Sequence, residues 1–405
     1  MLSLRKHFLF WIAAAFIATA ALVTMLIWER RPVPAQHTLY TVGVAERGEA
    51  LFFGEKQCSI CHSINGSGGR IAPDLSGKRA GTPAMGWLAT VLWNHAPGMF
   101  RRLHGSQSYP QLDSQEMADV LAFLYQAGNA DPPGDARAGE KVFREKSCVT
   151  CHSVHSVGGH SAPDLSSIAA AGRNEWVRAM WNHSQAMIEP VTRALGRWPQ
   201  FMGNEMNDLV AFVTEGQFTN VQKKPAAGNA ERGWKAFQAG CIQCHAVRGQ
   251  GGNSGPELGP EHDLPLSTTT FASVLWNHAP SMAELSKTKG ITLPIFQRDE
   301  MADLAAFLAS LRYFEPSGSS FVGQRVFIVR GCAACHGPEA DGSKLGPRIR
   351  AKGDQYTTVS FTSALWKHGP RMINRAEALG VAWPRLEATD IGDLVTFLNT
   401  PQQTK

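Results

Sequence analysis

Every cysteine of this chain falls in one pentapeptide, Cys-x-x-Cys-His, written four times at near-constant spacing. The copies are Cys58-Ser59-Ile60-Cys61-His62, Cys148-Val149-Thr150-Cys151-His152, Cys241-Ile242-Gln243-Cys244-His245 and Cys332-Ala333-Ala334-Cys335-His336. Their first cysteines stand at 58, 148, 241 and 332, which gives periods of 90, 93 and 91. A repeat of that length is too long for a solenoid unit and suits a small domain with its own core. The spacing also carries chemistry. Two thiols three positions apart on a tight helical turn can each form a thioether with the two vinyl groups on one haem edge. The next residue then points its imidazole at the iron, so the pentapeptide is the attachment signal for c-type haem. A zinc ribbon pairs Cys-x-x-Cys units about 15–20 residues apart, far closer than these. Four matches with no cysteine left over leave little room for a thioredoxin-like redox pair or a disulfide framework. The sequence therefore predicts four covalently bound haem c groups.

The four copies can be compared with one another to find what each module needs. Before the haem motif, Gly48 and Phe52, Gly139 and Phe143, Gly233 and Phe237, and Gly323 and Phe327 stand four apart, hence on one helix face. After it, each copy closes with an amphipathic segment: Glu116 to Leu124, Glu205 to Val213, Glu300 to Leu308 and Asp390 to Leu398. Apolar residues recur there at three and four, and acids occupy the first turn, where the helix dipole favours them. A glycine on the first helix predicts that the two helices cross closely, with the phenylalanines beside the crossing. A proline follows each haem-motif His by eleven residues, at Pro73, Pro163, Pro256 and Pro347. A helix ending in Trp93-Asn94-His95, Trp181-Asn182-His183, Trp276-Asn277-His278 or Trp366-Lys367-His368 comes next, and four residues later Met99, Met187, Met282 or Met372. In three copies a proline two residues after that His predicts the end of the helix, with the methionine on a loop.

The four copies resemble class I cytochrome c domains, and the resemblance covers nearly everything after residue 37. It implies an all-α fold of four tandem domains, over 37–131, 132–225, 226–316 and 317–405, with crossing first and last helices. It implies thioethers at Cys58, Cys61, Cys148, Cys151, Cys241, Cys244, Cys332 and Cys335, and proximal iron ligands at His62, His152, His245 and His336. It further implies that the carbonyls of Pro73, Pro163, Pro256 and Pro347 orient those imidazoles, a contact that fixes the tautomer and raises ligand basicity. Met99, Met187, Met282 and Met372 are implied as the sixth ligands. His95, His183, His278 and His368 are repeated just as strictly and stand as the alternative; capping of helix carbonyls is their other role. Met117, Met206 and Met301 read as core, because the fourth copy has Ile391 there. The unrepeated His104, His155, His160 and His262 read as surface residues.

Residues 1–36 read as a membrane anchor and linker. Phe8 to Trp28 is a run of 21 residues without charge, enough to cross a bilayer as a helix, with Trp11 and Trp28 near its ends. The alternative is a cleaved signal peptide, but the run is long for one and Ala18-Thr19-Ala20 lies inside it. Haem attachment outside the bacterial cytoplasmic membrane then predicts a single-pass protein with its haem domains on the periplasmic side. Of the formal net charge of +5, +3 flanks this run, at Arg5, Lys6, Arg30 and Arg31 less Glu29. Eight haem propionates would make the remainder acidic, so nucleic acid is not an expected partner. The functional expectation is a relay of single electrons through four haems in series, between a membrane redox complex, such as a quinol oxidiser, and another redox protein. The alternatives are a haem-wiring subunit of a larger respiratory or photosynthetic assembly, or a haem oxidoreductase such as a peroxidase. An enzyme needs an open iron, and every copy has its methionine.

Overall fold

A computed structural model describes residues 42–401, apart from 77–84, 104–108, 129–130, 132, 170–172, 215–227, 248, 259–266, 298, 312–317 and 354. Each repeat is built on three helices. The opening helix is Ala45–Ala50, Ala136–Glu145, Ala230–Ala239 or Ser320–Val329, and in the first repeat it continues as a π-helical turn over Leu51–Glu55. The middle helix is Met85–Leu103, Arg173–Leu195, Thr268–Lys289 or Thr358–Ala378. The closing helix is Ser114–Gly128, Glu205–Val213, Glu300–Ser310 or Asp390–Asn399. Asp135, Asn229 and Ser319 start three of the opening helices by accepting the N–H of the third residue onward, the usual way of satisfying an orphan donor. Among the described residues, strand is confined to two-residue hairpins after the haem motifs of the first three repeats.

The helix crossing is as close as the glycines predict. A Cβ on Gly48, Gly139, Gly233 or Gly323 would lie 1.9–2.0 Å from the carbonyl oxygen of Asp119, Asp208, Asp303 or Asp393 in the closing helix. No side chain fits there, so backbone packs on backbone. The paired phenylalanines then meet beside the crossing, with ring centroids 5.5–5.7 Å apart: Phe52 with Phe123, Phe143 with Phe212, Phe237 with Phe307, and Phe327 with Phe397. Met117, Met206, Met301 and Ile391 are buried in this core, as expected.

The same four aspartates do more than complement a dipole. The Oδ1 atoms of Asp119, Asp208, Asp303 and Asp393 accept the N–H of Val44, Asp135, Asn229 and Ser319, at 2.7–2.9 Å, and so tie the closing helix to the start of the opening one. In the first and third repeats Arg47 and Arg232 add charged partners from the opening helix. Asp303→Ala leaves a donor at this junction without its acceptor and removes a charged hydrogen bond. We expect a cost of about 2 kcal/mol, to be read as a lowered midpoint in chemical denaturation. No change in midpoint would count against the clamp.

The structure corrects one expectation about the middle helix. It does not stop at Pro97, Pro280 or Pro370, and Met99, Met187, Met282 and Met372 lie on the helix rather than on a loop. A proline inside a helix frees the carbonyl four residues back, and a buried carbonyl needs a donor. For Pro97 and Pro280 those carbonyls belong to Trp93 and Trp276. The indole N–H of Trp383 donates to the first at 3.3 Å and that of Trp198 to the second at 2.9 Å. Each donor comes from a different repeat. Where the second repeat has Gln185 instead of proline, the Trp181 carbonyl accepts the hydroxyl of Ser184, one turn away in its own helix. In the first and third repeats the freed carbonyl is thus satisfied by a tertiary contact that no local rule anticipates.

Those contacts belong to a wider pairing. Residues Thr41–Lys405 cluster as one compact body, in which the first repeat packs on the fourth and the second on the third. Trp93 Nε1 donates to the carbonyl of Pro384 and Trp366 Nε1 to that of Pro110, each at 2.7 Å. Trp181 Nε1 donates to Pro294 and Trp276 Nε1 to Pro199, each at 2.8 Å. Asn94 bridges Leu386, Asn182 bridges Phe296 and Asn277 bridges Phe201, each side chain holding both backbone groups of its target. Consequently Trp366 is buried in the first repeat's core and Trp93 in the fourth's, while the second and third repeats share one core. The expected series, one to four along the chain, is not the order of packing. A lighter contact joins the opening helices of the first and third repeats through Arg232–Glu46 and Arg47–Glu231; these exposed pairs contribute little to stability.

The predicted placement across the bacterial cytoplasmic membrane is also corrected. Among the described residues no helix is long and apolar enough to cross a membrane. The middle helices have the length but carry polar and charged groups along one side, such as Asn94, His95, Arg101 and Arg102 in Met85–Leu103. The apolar run of Phe8 to Trp28 lies outside the described residues.

Candidate haem sites

Each haem motif is presented on a tight turn, Cys58–Ile60, Cys148–Thr150, Cys241–Gln243 or Ala333–His336, directly after the opening helix. The turn returns the His N–H to the carbonyl of the first cysteine at 2.8–3.0 Å, so both cysteines and the imidazole share one short ring of backbone. Burial pushes the thiols of Cys58, Cys148, Cys241 and Cys332 up to about 11. A redox-active dithiol is built the other way, with a depressed thiol in an electropositive setting.

The imidazoles are held as the resemblance implies. Nδ1 of His62, His152, His245 and His336 lies 2.8–2.9 Å from the carbonyl oxygen of Pro73, Pro163, Pro256 and Pro347. With Nδ1–H donating to that carbonyl, the Nε2 lone pair is left to face outward from the loop. The loop itself is fixed differently in different repeats. Burial acts to raise the Asp74 carboxyl, but the hydroxyls of Ser76 and Ser63 and the N–H groups of Gly66 and Ser76 outweigh it and hold it well below the usual carboxylate range. Asp164 is held down in the same way by Ser166, Ser156 and Ser153. In the third repeat Glu257 accepts the N–H of Gly249, and in the fourth Arg348 pairs with Asp341 instead.

Two of the methionines, Met187 and Met372, line the same cavity as the imidazole of their repeat. In the second repeat a cavity of about 340 Å³ is lined by Cys148, His152 and Met187. In the fourth, one of about 630 Å³ is lined by Cys332, Cys335, His336 and Met372. His183 and His368 touch these cavities too. All four of the alternative histidines are nevertheless exposed, whereas all four methionines are half-buried against the core that holds the first cysteine of their repeat. His95 and His278 place Nδ1 2.8–2.9 Å from a carbonyl one turn back in their own helix, at Val91 and Val274. His155 and His160 are exposed, as expected; His104 and His262 lie outside the described residues.

A profile of the cytochrome c family matches the chain four times, over residues 45–128, 136–217, 230–312 and 322–402. The chain belongs to the cytochrome c family. It carries four tandem cytochrome c domains, and with the four cysteine pairs they bind four covalent haem c groups. Three plant cytochromes c are similar to part of it. That of Gossypium barbadense is 41% identical over 56 residues, 14% of this chain and 48% of that protein. That of Cannabis sativa is 37% identical over 59 residues, 14% of this chain and 50% of that protein, and that of Guizotia abyssinica is 41% identical over 56 residues, again 14% and 48%. The match spans about half the length of these relatives. Cytochrome c domains make this an electron-transfer haem protein.

As in cytochrome c domains, the cavities of the second and fourth repeats suit an apolar group fixed at one edge. Buried Trp, Phe and Leu line them, together with Cys148, His152 and Met187 in the second repeat and Cys332, Cys335, His336 and Met372 in the fourth. One repeated feature escaped the sequence reading. Pro110, Pro199, Pro294 and Pro384 follow the haem-motif His by 48, 47, 49 and 48 residues, inside Tyr109-Pro110-Gln111-Leu112, Trp198-Pro199-Gln200-Phe201, Leu293-Pro294-Ile295-Phe296 and Trp383-Pro384-Arg385-Leu386. The regular proline spacing was a usable signal. Its meaning, as the receptor for another repeat's Trp, was not local.

Proposed function

We propose that this protein relays single electrons between redox protein partners through four closed, six-coordinate haems. In this reading His62, His152, His245 and His336 would hold the iron through Nε2, and Met99, Met187, Met282 and Met372 would hold it through their thioether sulfurs. The haem iron supplies one-electron chemistry without bond making or breaking. The observation that carries the reading is the convergence in one cavity of a carbonyl-oriented imidazole, a half-buried methionine and motif cysteine, Cys148 in the second repeat and Cys332 and Cys335 in the fourth. The chain's own residues then do three things. The proline carbonyls hold each imidazole in one tautomer. The methionine thioethers would leave the iron no open site, which would raise the potential and keep small molecules out. The apolar walls exclude water, so charge changes are stabilised by a fixed environment. The loops that cradle the imidazoles differ among repeats, and this favours four distinct potentials.

The test is a redox titration of the full chain with ferric spectra of the single variants Met99→Ala, Met187→Ala, Met282→Ala and Met372→Ala. Each should remove about a quarter of the weak long-wavelength band given by Met-ligated ferric haem and lower one midpoint potential. Retention of the full band in all four variants would assign the axial role elsewhere, first to His95, His183, His278 and His368.

A further inference from the structure

We propose that each haem site is completed by the tryptophan of another repeat, so that the four sites work as two coupled pairs, first with fourth and second with third. This rests on the relay reading for its redox meaning, while the pairing itself rests on geometry. The cavity of the fourth repeat, which holds Cys332, His336 and Met372, includes Trp93 of the first repeat in its wall. The cavity of the second repeat, which holds Cys148, His152 and Met187, includes Trp276 of the third. In the other direction Trp366 is buried in the cluster that contains Cys58 and Met99. Trp181 is buried in the core that contains Cys241 and Met282.

The contact is reciprocal and specified atom by atom. In each pair both indoles donate to a proline carbonyl of the other repeat. Rings stack across the boundary: Trp93 on Trp383 at 4.2 Å, Trp198 on Trp276 at 4.4 Å, and Tyr109 on Trp366 at 4.7 Å. The four repeated tryptophans are only 4–7% exposed, and burying an indole of that size stabilises strongly. Each indole also sits six residues before the methionine proposed as a ligand in its own middle helix, as Trp93 does before Met99 and Trp276 before Met282. One side chain therefore ties its own middle helix to the wall of its partner's cavity. Apolar side chains there in place of water lower the polarity through which two neighbouring sites act on one another. Within a pair, one iron is oxidised from ferrous to ferric as the other is reduced from ferric to ferrous, with no proton or bond change. The reducing electron enters from a redox protein donor.

The experiment uses the full four-haem chain with Trp93→Phe, Trp366→Phe, Trp181→Phe and Trp276→Phe made singly. Phenylalanine keeps an aromatic ring and removes the indole N–H. The readouts are the resolved haem-methyl resonances of the ferric protein and the four midpoint potentials. Trp93→Phe and Trp366→Phe should shift the same two of the four haem signatures, and Trp181→Phe and Trp276→Phe the other two. The proposal is overturned if each variant shifts one signature alone, or if Trp93→Phe and Trp181→Phe shift a common set, as sequence neighbours would. Where a variant loses helical signal or covalent haem, Asn94→Ala and Ser363→Ala probe one pair and Asn182→Ala and Asn277→Ala the other, with the same two outcomes. All of these side chains bond backbone of the paired repeat. Signatures that shift in these two sets while showing no methionine-type spectrum would remove the axial assignment and leave the pairing standing.

Discussion

Replacing Cys148 and Cys151 together by alanine is expected to lower covalently bound haem from four to three per chain and to unfold the second repeat. Every other cysteine belongs to the motif of another repeat. The structural consequence follows from the cavity. With no group tethered at its rim, the second repeat is left with about 340 Å³ to fill. Core cavities cost about 24 cal/mol per Å³, so the deficit is at most on the order of 8 kcal/mol, because water can enter from the open side. That is comparable with the whole stability of a small domain, about 5–15 kcal/mol. The second repeat shares its core with the third, so both should become sensitive to proteolysis before the first and fourth. Intact mass under denaturing conditions reads the haem count, and limited proteolysis reads the pair. Four haems still attached would sink the assignment of these thiols.

The second large effect is expected from Gly233→Ala. The added Cβ would stand 2.0 Å from the Asp303 oxygen, 2.5 Å from its carbonyl carbon and 2.7 Å from Phe307 Cβ. The nearest atoms are backbone of the closing helix, which cannot swing aside as a side chain can. The two helices must separate, and Phe237, Met301 and Leu304, all buried here, lose contact together. A cost of about 3–5 kcal/mol is expected for a disruption of this kind. Gly54→Ala is the matched control, since nothing lies within 4 Å of its added Cβ. That change should be neutral or stabilise by up to about 1 kcal/mol. Chemical denaturation followed by helical signal checks both. Equal midpoints for the two variants would show that the crossing is not where the repeat is held.

Much of each module was legible because its determinants are local. Gly233 and Phe237 stand on one face at a helical spacing, and the closing-helix pattern supplies the other half of the crossing. The proline eleven residues after each motif His was legible through family resemblance, and the 2.8–2.9 Å contacts bear it out. The middle helix was misread for a definite reason. Proline removes a donor and leaves a carbonyl without a partner, so a local rule ends the helix at Pro97. The indole of Trp383, nearly three hundred residues away in the chain, supplies a donor for that carbonyl, and the helix continues. The aspartate clamp was half seen: acids were expected in the first turn of the closing helix, but their role as acceptors for Val44, Asp135, Asn229 and Ser319 depends on the crossing itself.

The sequence alone determined that there are four modules and that each carries a haem, since thioether attachment and helix crossing are written in short-range spacings of Cys, His, Gly and Phe. Only the tertiary structure decided which modules adjoin. Linker length brings the first repeat near the second, but it confers no binding energy. Buried indoles do, together with backbone carbonyls that must find a donor once a proline has freed them. Those requirements are met between the first and fourth repeats and between the second and third, and they set an order of packing that differs from the order along the chain.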